Sequence, residues 1–453
     1  MPLPIKLTVE PNYLYMYLER QIDKELLAWK NSPRKKPILL RGARQVGKTN
    51  TVRNLSKQFE NYLEINFEED KQVQSVFSGN LSPSEICENI SAIYNVEINP
   101  GKTLLFFDEI QKCIPAIESL RFFYEKMPEL HVIAAGSLLE FALAEIPSYG
   151  VGRIRSMFMY PLSFNEFLSA INEDKLMGLK QQASPQERLN GAIHEKLLNY
   201  FKKFIMLGGM PEVISTYVQT KDFNLCGQVI DDLIISFNDD FAKYKDRVPV
   251  SRIGDVFNSV VMQAGTKFIY SKATSHSNQK QIKEALGLLI KAGLVVPVKH
   301  TSGNGIPLGA EVNLKKQKML LFDTGIFLRI LDFDIGEMLF TKDFDIVNKG
   351  SVAEQFVGLE MIKEKSCYQK QDLYYWHREA RNSNAEVDYI FAKNGEIYPV
   401  EVKAGTKGSM QSMYLFLQTK NRDKGIRVSN ENFSSMKSVY VYPIYAVGNI
   451  VDL

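Results

Sequence analysis

The sequence is poor in cysteine, tryptophan and long apolar runs. Its 453 residues include four cysteines and two tryptophans. The cysteines form no CxxC pair and lie far apart, at Cys87, Cys113, Cys226 and Cys367. This spacing excludes the common zinc and thiol-redox motifs, and no apolar run approaches the roughly 20 residues of a membrane span. We therefore expect a protein of the reducing cytoplasm, with no secretory signal and no membrane partner.

Neither sign of charge dominates the chain. The 55 Lys and Arg residues nearly balance the 52 Asp and Glu residues, which leaves a net charge of +3 at pH 7. Binding to nucleic acid would therefore have to come from local patches. The hydrophobic content of 45% is sufficient for sizeable cores, and the length predicts about two to four domains.

The stretch that follows Arg41 has the spacing of a phosphate-binding P-loop. A short apolar run leads into GARQVGKT, which matches G-x4-G-K-[ST]. The glycines allow successive N–H groups to point at a phosphate, the lysine supplies positive charge and the threonine offers a hydroxyl to Mg²⁺. The alternative is a glycine-rich turn before a helix. The predicted nucleotide-binding residues are Gly42, Ala43, Arg44, Gln45, Val46, Gly47, Lys48, Thr49 and Asn50.

A second motif follows about 60 residues later. The run TLLFFDEI at 103–110 predicts a strand buried on both faces, with Asp108 and Glu109 at its carboxyl end. Asp108 is predicted to hold Mg²⁺ through water, and Glu109 to polarise the water that attacks the γ-phosphate. The next predicted strand, at 131–135, leads to Ser137, a candidate sensor of that phosphate. The alternative for the two acids is a helix start.

Two arginines stand in the loop GVGRIR at 150–155. Arg153 and Arg155 are candidates for an arginine finger that acts on the γ-phosphate. The alternative is that they pair with surface carboxylates. The pattern leaves both interpretations open.

The middle of the chain is predicted to be largely helical. An amphipathic helix is expected at 12–29, and further helices at 162–244, broken by LGGMP in what we interpret as a helix–helix turn. Residues 251–307 favour a small helical unit followed by a hairpin, which is typical of a winged helix. Such a module contacts either DNA or protein, and its lysines are equally consistent with a solvated face.

The C-terminal region contains a second set of chemically active residues. An amphipathic helix predicted at 350–364 carries Glu354, and a predicted hairpin carries Asp388 on one strand and Glu401 and Lys403 on the other. Because strand side chains alternate, Glu401 and Lys403 share a face, and pairing can bring Asp388 beside them. We expect Asp388, Glu401 and Glu354 to hold a divalent cation, with Lys403 orienting a water or stabilising phosphate charge. The alternative is a set of surface charges.

In both sets of residues, the chain resembles prokaryotic AAA-type ATPases that carry a C-terminal PD-(D/E)XK nuclease-like domain. The resemblance implies a P-loop core with parallel strand order 5-1-4-3-2, Glu109 as catalytic base and a winged-helix region. Val387 replaces the proline of the first nuclease motif, and Ser137 an asparagine common in AAA proteins. The matching segments are RGARQVGKT, LLFFDEIQ, AAGSLLE, GRIRSMFMYPLSFNEFL, LGGMPEVI, LLIKAGLV, LLFDTGI, EVDYI and PVEVKAG.

The predicted architecture is an α/β chain in four parts. These are an AAA-type ATPase domain at 1–165, a helical region at 166–245, a winged-helix-like region at 246–330 and a restriction-endonuclease-like domain at 331–453. The expected ligands are ATP and Mg²⁺, and the candidate partners are nucleic acid and a second copy of the chain. ATP either controls a Mg²⁺-dependent nuclease, or gates a switch that does not cleave, or serves a DNA-binding regulator.

Overall fold

The structure is a computed structural model that describes residues 16–137, 139–146, 152–244, 247–333, 350–378, 385–405 and 409–451. The start of the helix expected at 12–29 and the loop residues 150 and 151 lie outside these ranges. Within them, the helix begins only at Gln21, because the Asp23 carboxylate accepts the Arg20 N–H at 2.9 Å and Arg20 itself is extended. Helices with the length and apolar character of a membrane span are absent from the described ranges.

Five parallel strands form the first sheet, in the order β2-β3-β4-β1-β5. Read from the opposite edge, this is the order 5-1-4-3-2 that the resemblance implied, so that prediction is confirmed. Every residue of β3 is buried, as its apolar run predicted. The elements are α1 (Gln21–Lys30), β1 (Ile38–Arg41), α2 (Lys48–Ser56), β2 (Asn61–Asn66), α3 (Pro83–Tyr94), β3 (Thr103–Asp108), α4 (Ile114–Lys126), β4 (His131–Ala135), α5 (Leu139–Glu145) and β5 (Arg155–Phe158).

The two faces of this sheet bury different cores. Leu104 and Phe106 of β3 pack with side chains of α1 and α2. Leu105 and Phe107 alternate with them and pack against α3 and α4. Because helices cover both faces, the carboxyl ends of the strands are the part of the sheet left open to a ligand.

Five helices follow the first sheet, and LGGMP forms the turn between the third and the fourth of them. Gly208 has a φ of +72°, and the Gly209 carbonyl accepts the Leu162 N–H at 2.7 Å. The Gly209 N–H donates to a buried carboxylate oxygen of Asp323 at 2.7 Å. The predicted helix–helix turn is therefore confirmed, and it is tightly packed. The helices are α6 (Phe164–Ala170), α7 (Asp174–Gln182), α8 (Gly191–Leu207), α9 (Pro211–Thr220) and α10 (Phe223–Asp240).

Eight strands form the second sheet, in the order β12-β13-β11-β10-β9-β8-β6-β7. The β6–β7 hairpin, predicted as the wing of a winged helix, pairs through β6 with β8, in parallel. The predicted division at 330/331 therefore passes through one sheet, and the winged helix is not confirmed. The elements are α11 (Val250–Met262), α12 (Gln279–Lys291), β6 (Val295–Thr301), β7 (Val312–Leu321), α13 (Thr324–Ile330), α14 (Gly350–Lys363), β8 (Leu373–His377), β9 (Glu386–Lys393), β10 (Glu396–Val402), α15 (Gln411–Lys420), β11 (Gly425–Ser429), β12 (Ser434–Met436), β13 (Val439–Pro443) and α16 (Val447–Val451).

The helix α14 is buried on all sides, whereas the sequence predicted an amphipathic helix. Every residue from Val352 to Ile362 is buried. Its polar side chains tolerate burial because each has a partner: Gln355 accepts the Leu321 N–H at 3.2 Å, and Glu360 accepts the Phe164 N–H at 2.9 Å. The polar residues of α14 therefore do not indicate a solvent-exposed helix face, because their hydrogen bonds are formed inside the protein.

We predict that the turn at Gly209 tolerates no side chain. A Cβ there would lie 2.3 Å from the backbone oxygen of Leu162, so Gly209→Ala is expected to lower the free energy of unfolding by about 1–3 kcal/mol. Thermal and urea unfolding measure this change. The matched control is Gly178→Ala in α7, where a Cβ meets nothing within 4 Å, and where alanine is expected to be neutral or stabilising. Equal stability of the two variants would contradict the close packing.

Candidate functional site

The P-loop joins the end of β1 to the start of α2. Gly42 and Gly47 have φ values of +152° and +97°, in the region that favours glycine. A Cβ on Gly42 would lie 2.1 Å from the Met159 carbonyl oxygen. Lys48 is the first residue of α2, so the loop amides and the helix N-terminus face the same side. The backbone thus has the shape that an anion-binding loop requires.

The side chain of Lys48 is buried within the loop. Its Nζ donates to the carbonyl oxygens of Gly42 at 3.0 Å and Ala43 at 2.7 Å. Burial lowers the pKa of Lys48 to about 8, although the carboxylates of Glu109 and Asp108 oppose this shift. The lysine therefore lies close to its titration range at physiological pH.

The carboxyl end of β3 brings the second motif to the P-loop. The Thr49 hydroxyl donates to Asp108 Oδ2 at 2.8 Å, and burial raises the pKa of Asp108, partly offset by this bond. The Ser137 hydroxyl donates to Glu109 Oε2 at 3.1 Å, and Gln111 donates to the same oxygen. A hydroxyl and a carboxylate in contact suit Mg²⁺, which usually takes one or two protein ligands together with water and phosphate oxygens. Thr49 and Asp108 would hold that ion.

A cavity of about 720 Å³ opens beside these groups, within the range of small-molecule sites. Its lining also includes Met16 to Leu18 and residues of α9, among them Ser215 and Gln219. Gly42, Ala43 and Val46 are absent from its lining, and Ala43 and Val46 are buried behind the loop surface. The predicted residues that line it are Arg44, Gln45, Gly47, Lys48, Thr49, Asn50, Asp108, Glu109 and Ser137.

Arg20 lines the same cavity and bonds to the P-loop backbone, and the sequence analysis missed it. Its Nη1 donates to the Val46 carbonyl at 2.8 Å and its Nη2 to the Tyr160 carbonyl at 2.6 Å. Its Nε pairs with Glu166 Oε1 at 3.0 Å. Arg20 lies in no motif, and only the tertiary fold brings its partners together.

The tip of the P-loop contacts helices from the middle of the chain. Arg44 forms an ion pair with Asp240 at the end of α10, and Gln45 donates to the Ser236 hydroxyl at 3.3 Å. After α12, Gly293 packs so closely that a Cβ would lie 3.2 Å from the Ala43 nitrogen. The loop is thus in contact with elements that lead into the second sheet.

The two candidate finger arginines do not line the cavity. Arg153 forms a half-exposed ion pair with Glu125. Arg155 lies over the ring of Tyr368, with its Cζ 5.4 Å from the ring centroid. Within one copy of the chain, both are therefore engaged elsewhere, and a finger role across a subunit boundary stays a prediction.

The predicted C-terminal residues do come together. The β9–β10 ladder runs to the pair Val400–Tyr389, and continuing it by one residue places Glu401 opposite Asp388. Asp388 Oδ2 accepts the Val402 N–H at 2.8 Å, and the Lys403 ammonium pairs with Glu401 Oε1 at 2.7 Å. Burial and the charge of Asp388 raise the pKa of Glu401 to about 7. Glu401 Oε2 is buried without a hydrogen-bond partner among the described residues.

A lysine that the sequence analysis missed stands inside this cluster. Lys318 of β7 is 1% exposed, and its Nζ lies 2.8 Å from Glu354 Oε1, 2.5 Å from Glu386 Oε1 and 4.0 Å from Asp388 Oδ1. Burial alone would lower its pKa, but the carboxylates of Glu354, Asp388 and Glu386 outweigh this effect and raise it. Burial raises the pKa of Glu354 to about 7, opposed by the charge of Lys318.

The residues present do not suit the predicted divalent cation. Lys318 already supplies a positive charge to Glu354 and Asp388, and Lys403 supplies one to Glu401. In the described part of the chain, no three His, Cys, Asp or Glu side chains are grouped so that they could hold a metal ion. We call Lys318, Glu354, Glu386, Asp388, Glu401 and Lys403 the acidic cluster.

The P-loop, the acids at the end of β3 and the parallel sheet define a P-loop nucleotide-binding domain. Residues 34–168 match the family model described as an AAA domain. This part of the chain is therefore an AAA-type P-loop ATPase domain. Residues 198–335 and 349–447 match two models described as domains of unknown function, DUF8612 and DUF4143. Curated proteins give no match.

The solved structures that match this chain are distant from it. The Walker-type ATPase PABY2304 of Pyrococcus abyssi is 15% identical, with a TM-score of 0.45 over 70% of this chain and 96% of that chain. The Orc1 protein of Aeropyrum pernix, in complex with DNA, is 11% identical, with a TM-score of 0.31 over 71% of this chain and 94% of that chain. The family model, rather than these distant likenesses, carries the assignment.

We predict that ATP affinity depends on the charge of Lys48. The pKa of Lys48 is near 8. Below that pH the side chain is charged, and above that pH it is neutral and must take up a proton before it can pair with phosphate. ATP affinity is therefore expected to be constant below pH 8 and to fall by up to about tenfold per pH unit above it. Titration calorimetry at saturating Mg²⁺ measures this profile. Lys57→Met, at an exposed lysine of the same cavity, should preserve it, and a flat wild-type profile up to pH 9 would contradict the role.

Proposed function

We propose that the AAA domain binds Mg·ATP in the 720 Å³ cavity and hydrolyses it. The observation that carries the proposal is the contact between Thr49 and Asp108, 2.8 Å apart, with Glu109 next in sequence and held by Ser137. A hydroxyl, an acid and a candidate base stand together at the carboxyl ends of β1 and β3, which lie on either side of β4 in the sheet. A glycine-rich turn without a ligand would have no need of this arrangement.

Each group has a distinct part in the proposed reaction. Lys48 and the loop amides would bind the β- and γ-phosphates, and Mg²⁺, when bound, would neutralise charge on them. Glu109 would orient the attacking water. Ser137 would hold the Glu109 carboxylate, which replaces the direct sensing of phosphate that the sequence analysis assigned to this serine.

We further propose that α10 transmits the nucleotide state to the C-terminal sheet. Its Asp240 and Ser236 contact the P-loop residues Arg44 and Gln45. About 14 Å along the helix, Asp231 accepts two hydrogen bonds from Arg329 of α13, each at 2.7 Å. Because α13 directly follows β7, movement of the P-loop tip would reach the strand that carries Lys318.

The partner of the C-terminal domain is a protein or a nucleic acid. The order of α14, the antiparallel strands β8 to β10, α15 and the parallel strand β11 supports an endonuclease-like fold, and the lysines in the acidic cluster favour a binding role over cleavage. A homo-oligomer in which Arg153 or Arg155 reaches a neighbouring nucleotide also belongs to this proposal.

Two substitutions test the ATPase. Lys48→Ala is expected to abolish ATP binding, because it removes the buried ammonium of the loop, whereas the other cation of the loop, Arg44, is paired with Asp240. Glu109→Gln is expected to keep binding and to lower turnover by about a hundredfold or more, since it removes the base. Phosphate release and titration calorimetry measure the two effects, with Glu129→Gln at an exposed position as the control. Unchanged turnover in both variants would refute the assignment.

One substitution tests the transmission through α10. We expect ATP to change the hydrogen exchange of α10 and α13 in the wild type. Asp240→Asn should reduce the change in α13, because it removes the ion pair with Arg44, although a pair this exposed contributes only about 0.2–1 kcal/mol. The control is Asp239→Asn, on the exposed side of the same helix. A response that stops at the P-loop in the wild type would contradict the proposal.

A further inference from the structure

Three of the four carboxylates of the acidic cluster lie around one of its two ammonium groups, that of Lys318. Lys318 Nζ lies 2.8 Å from Glu354, 2.5 Å from Glu386 and 4.0 Å from Asp388. These carboxylates come from a helix and from β9, whereas the lysine comes from β7, on the far side of β8 and β6 in the sheet. Its side chain therefore enters the cluster from a strand that the two predicted nuclease motifs do not include.

The burial of Lys318 makes its charge dependent on the surrounding carboxylates. The residue is 1% exposed, and its Nζ also lies 5.2 Å from the ring centroid of Tyr375. Removing one partner of a buried charged group leaves the other uncompensated, which is strongly destabilising. The acidic cluster consequently needs a positive charge at this position, and the chain itself provides one.

We propose that Lys318 is the resident cation of the acidic cluster: its ammonium group takes the position between Glu354 and Asp388 that a divalent cation would otherwise take. The C-terminal domain then binds no catalytic Mg²⁺ while Lys318 is in place. It therefore does not cleave phosphodiesters by a metal-dependent mechanism. This inference goes beyond the proposed ATPase and does not depend on it.

The remaining acidic ligand is also engaged. Glu401 Oε1 pairs with Lys403 at 2.7 Å, and Asp388 Oδ2 accepts the Val402 N–H. Glu401 Oε2 is buried without a hydrogen-bond partner among the described residues. A cation held between Asp388 and Glu401 in the wild-type protein is thus the specific competing outcome for the experiment.

The first test measures Mn²⁺ binding by the full chain without nucleotide. Mn²⁺ titrations followed by electron paramagnetic resonance compare the wild type with Asp388→Asn, so that ions bound elsewhere cancel. We expect the same number of bound ions in both. A site that the wild type has and Asp388→Asn lacks would overturn the proposal.

The second test removes the lysine. Lys318→Met keeps a side chain of similar length without charge. We expect this variant to bind one Mn²⁺ ion more than the wild type, and its melting temperature to rise by several degrees in millimolar Mn²⁺. The gain should be absent in Lys318→Met/Asp388→Asn and in Lys315→Met, an exposed lysine of the same strand. A folded Lys318→Met that gains no site would overturn the proposal.

The third test uses the wild-type protein, so that the proposal can be tested even if Lys318→Met does not fold. Wild-type protein is incubated with single- and double-stranded DNA and RNA, with Mg²⁺ or Mn²⁺, with and without ATP. We expect no digestion above that of Asp388→Ala. Metal-dependent digestion that Asp388→Ala loses would overturn the proposal and restore the nuclease interpretation.

Discussion

The fold depends on one guanidinium group. Arg20 bonds to the Val46 carbonyl in the P-loop, to the Tyr160 carbonyl after β5 and to Glu166 in α6. Its side chain is 5% exposed, and that of Glu166 is 9% exposed. Breaking a buried ion pair from one side costs about 3–5 kcal/mol. The shape of the P-loop and the docking of the first sheet on the helical region are thus fixed by the same residue.

Polar contacts, rather than an apolar seam alone, join the ATPase domain to the C-terminal part. Lys363 of α14 donates to the Leu162 carbonyl at 2.9 Å, and Glu360 of the same helix accepts the Phe164 N–H. Burial raises the pKa of Glu360 to about 7, although Lys363 opposes this. Because such groups are costly to bury without their partners, these contacts favour the packing that the structure has, as the proposed transmission of the nucleotide state requires.

Local motifs could be predicted from the sequence, and distant partners could not. Asp108 and Glu109 were found because a buried strand and its following acids lie within a few residues of each other. Asp388 and Glu401 were found because a hairpin turn fixes their register. Arg20 contacts residues that lie between 26 and 146 positions away in the sequence, and Lys318 contacts residues that lie 36 to 70 positions away. Contacts over such separations leave no local spacing pattern from which either residue could be predicted. The same limit explains the burial of α14, whose outer face is covered by elements distant in the sequence.

The parallel pairing of β6 with β8 has a consequence for how this chain can be divided. The segment that matches the DUF4143 model, residues 349–447, begins after β6 and β7. A fragment cut there would expose the unpaired edge of β8 together with the apolar surface that β6 covers. Exposed edges of this kind recruit other strands and promote aggregation. A fragment of the C-terminal part in which β8 stays paired on both sides therefore includes the β6–β7 hairpin.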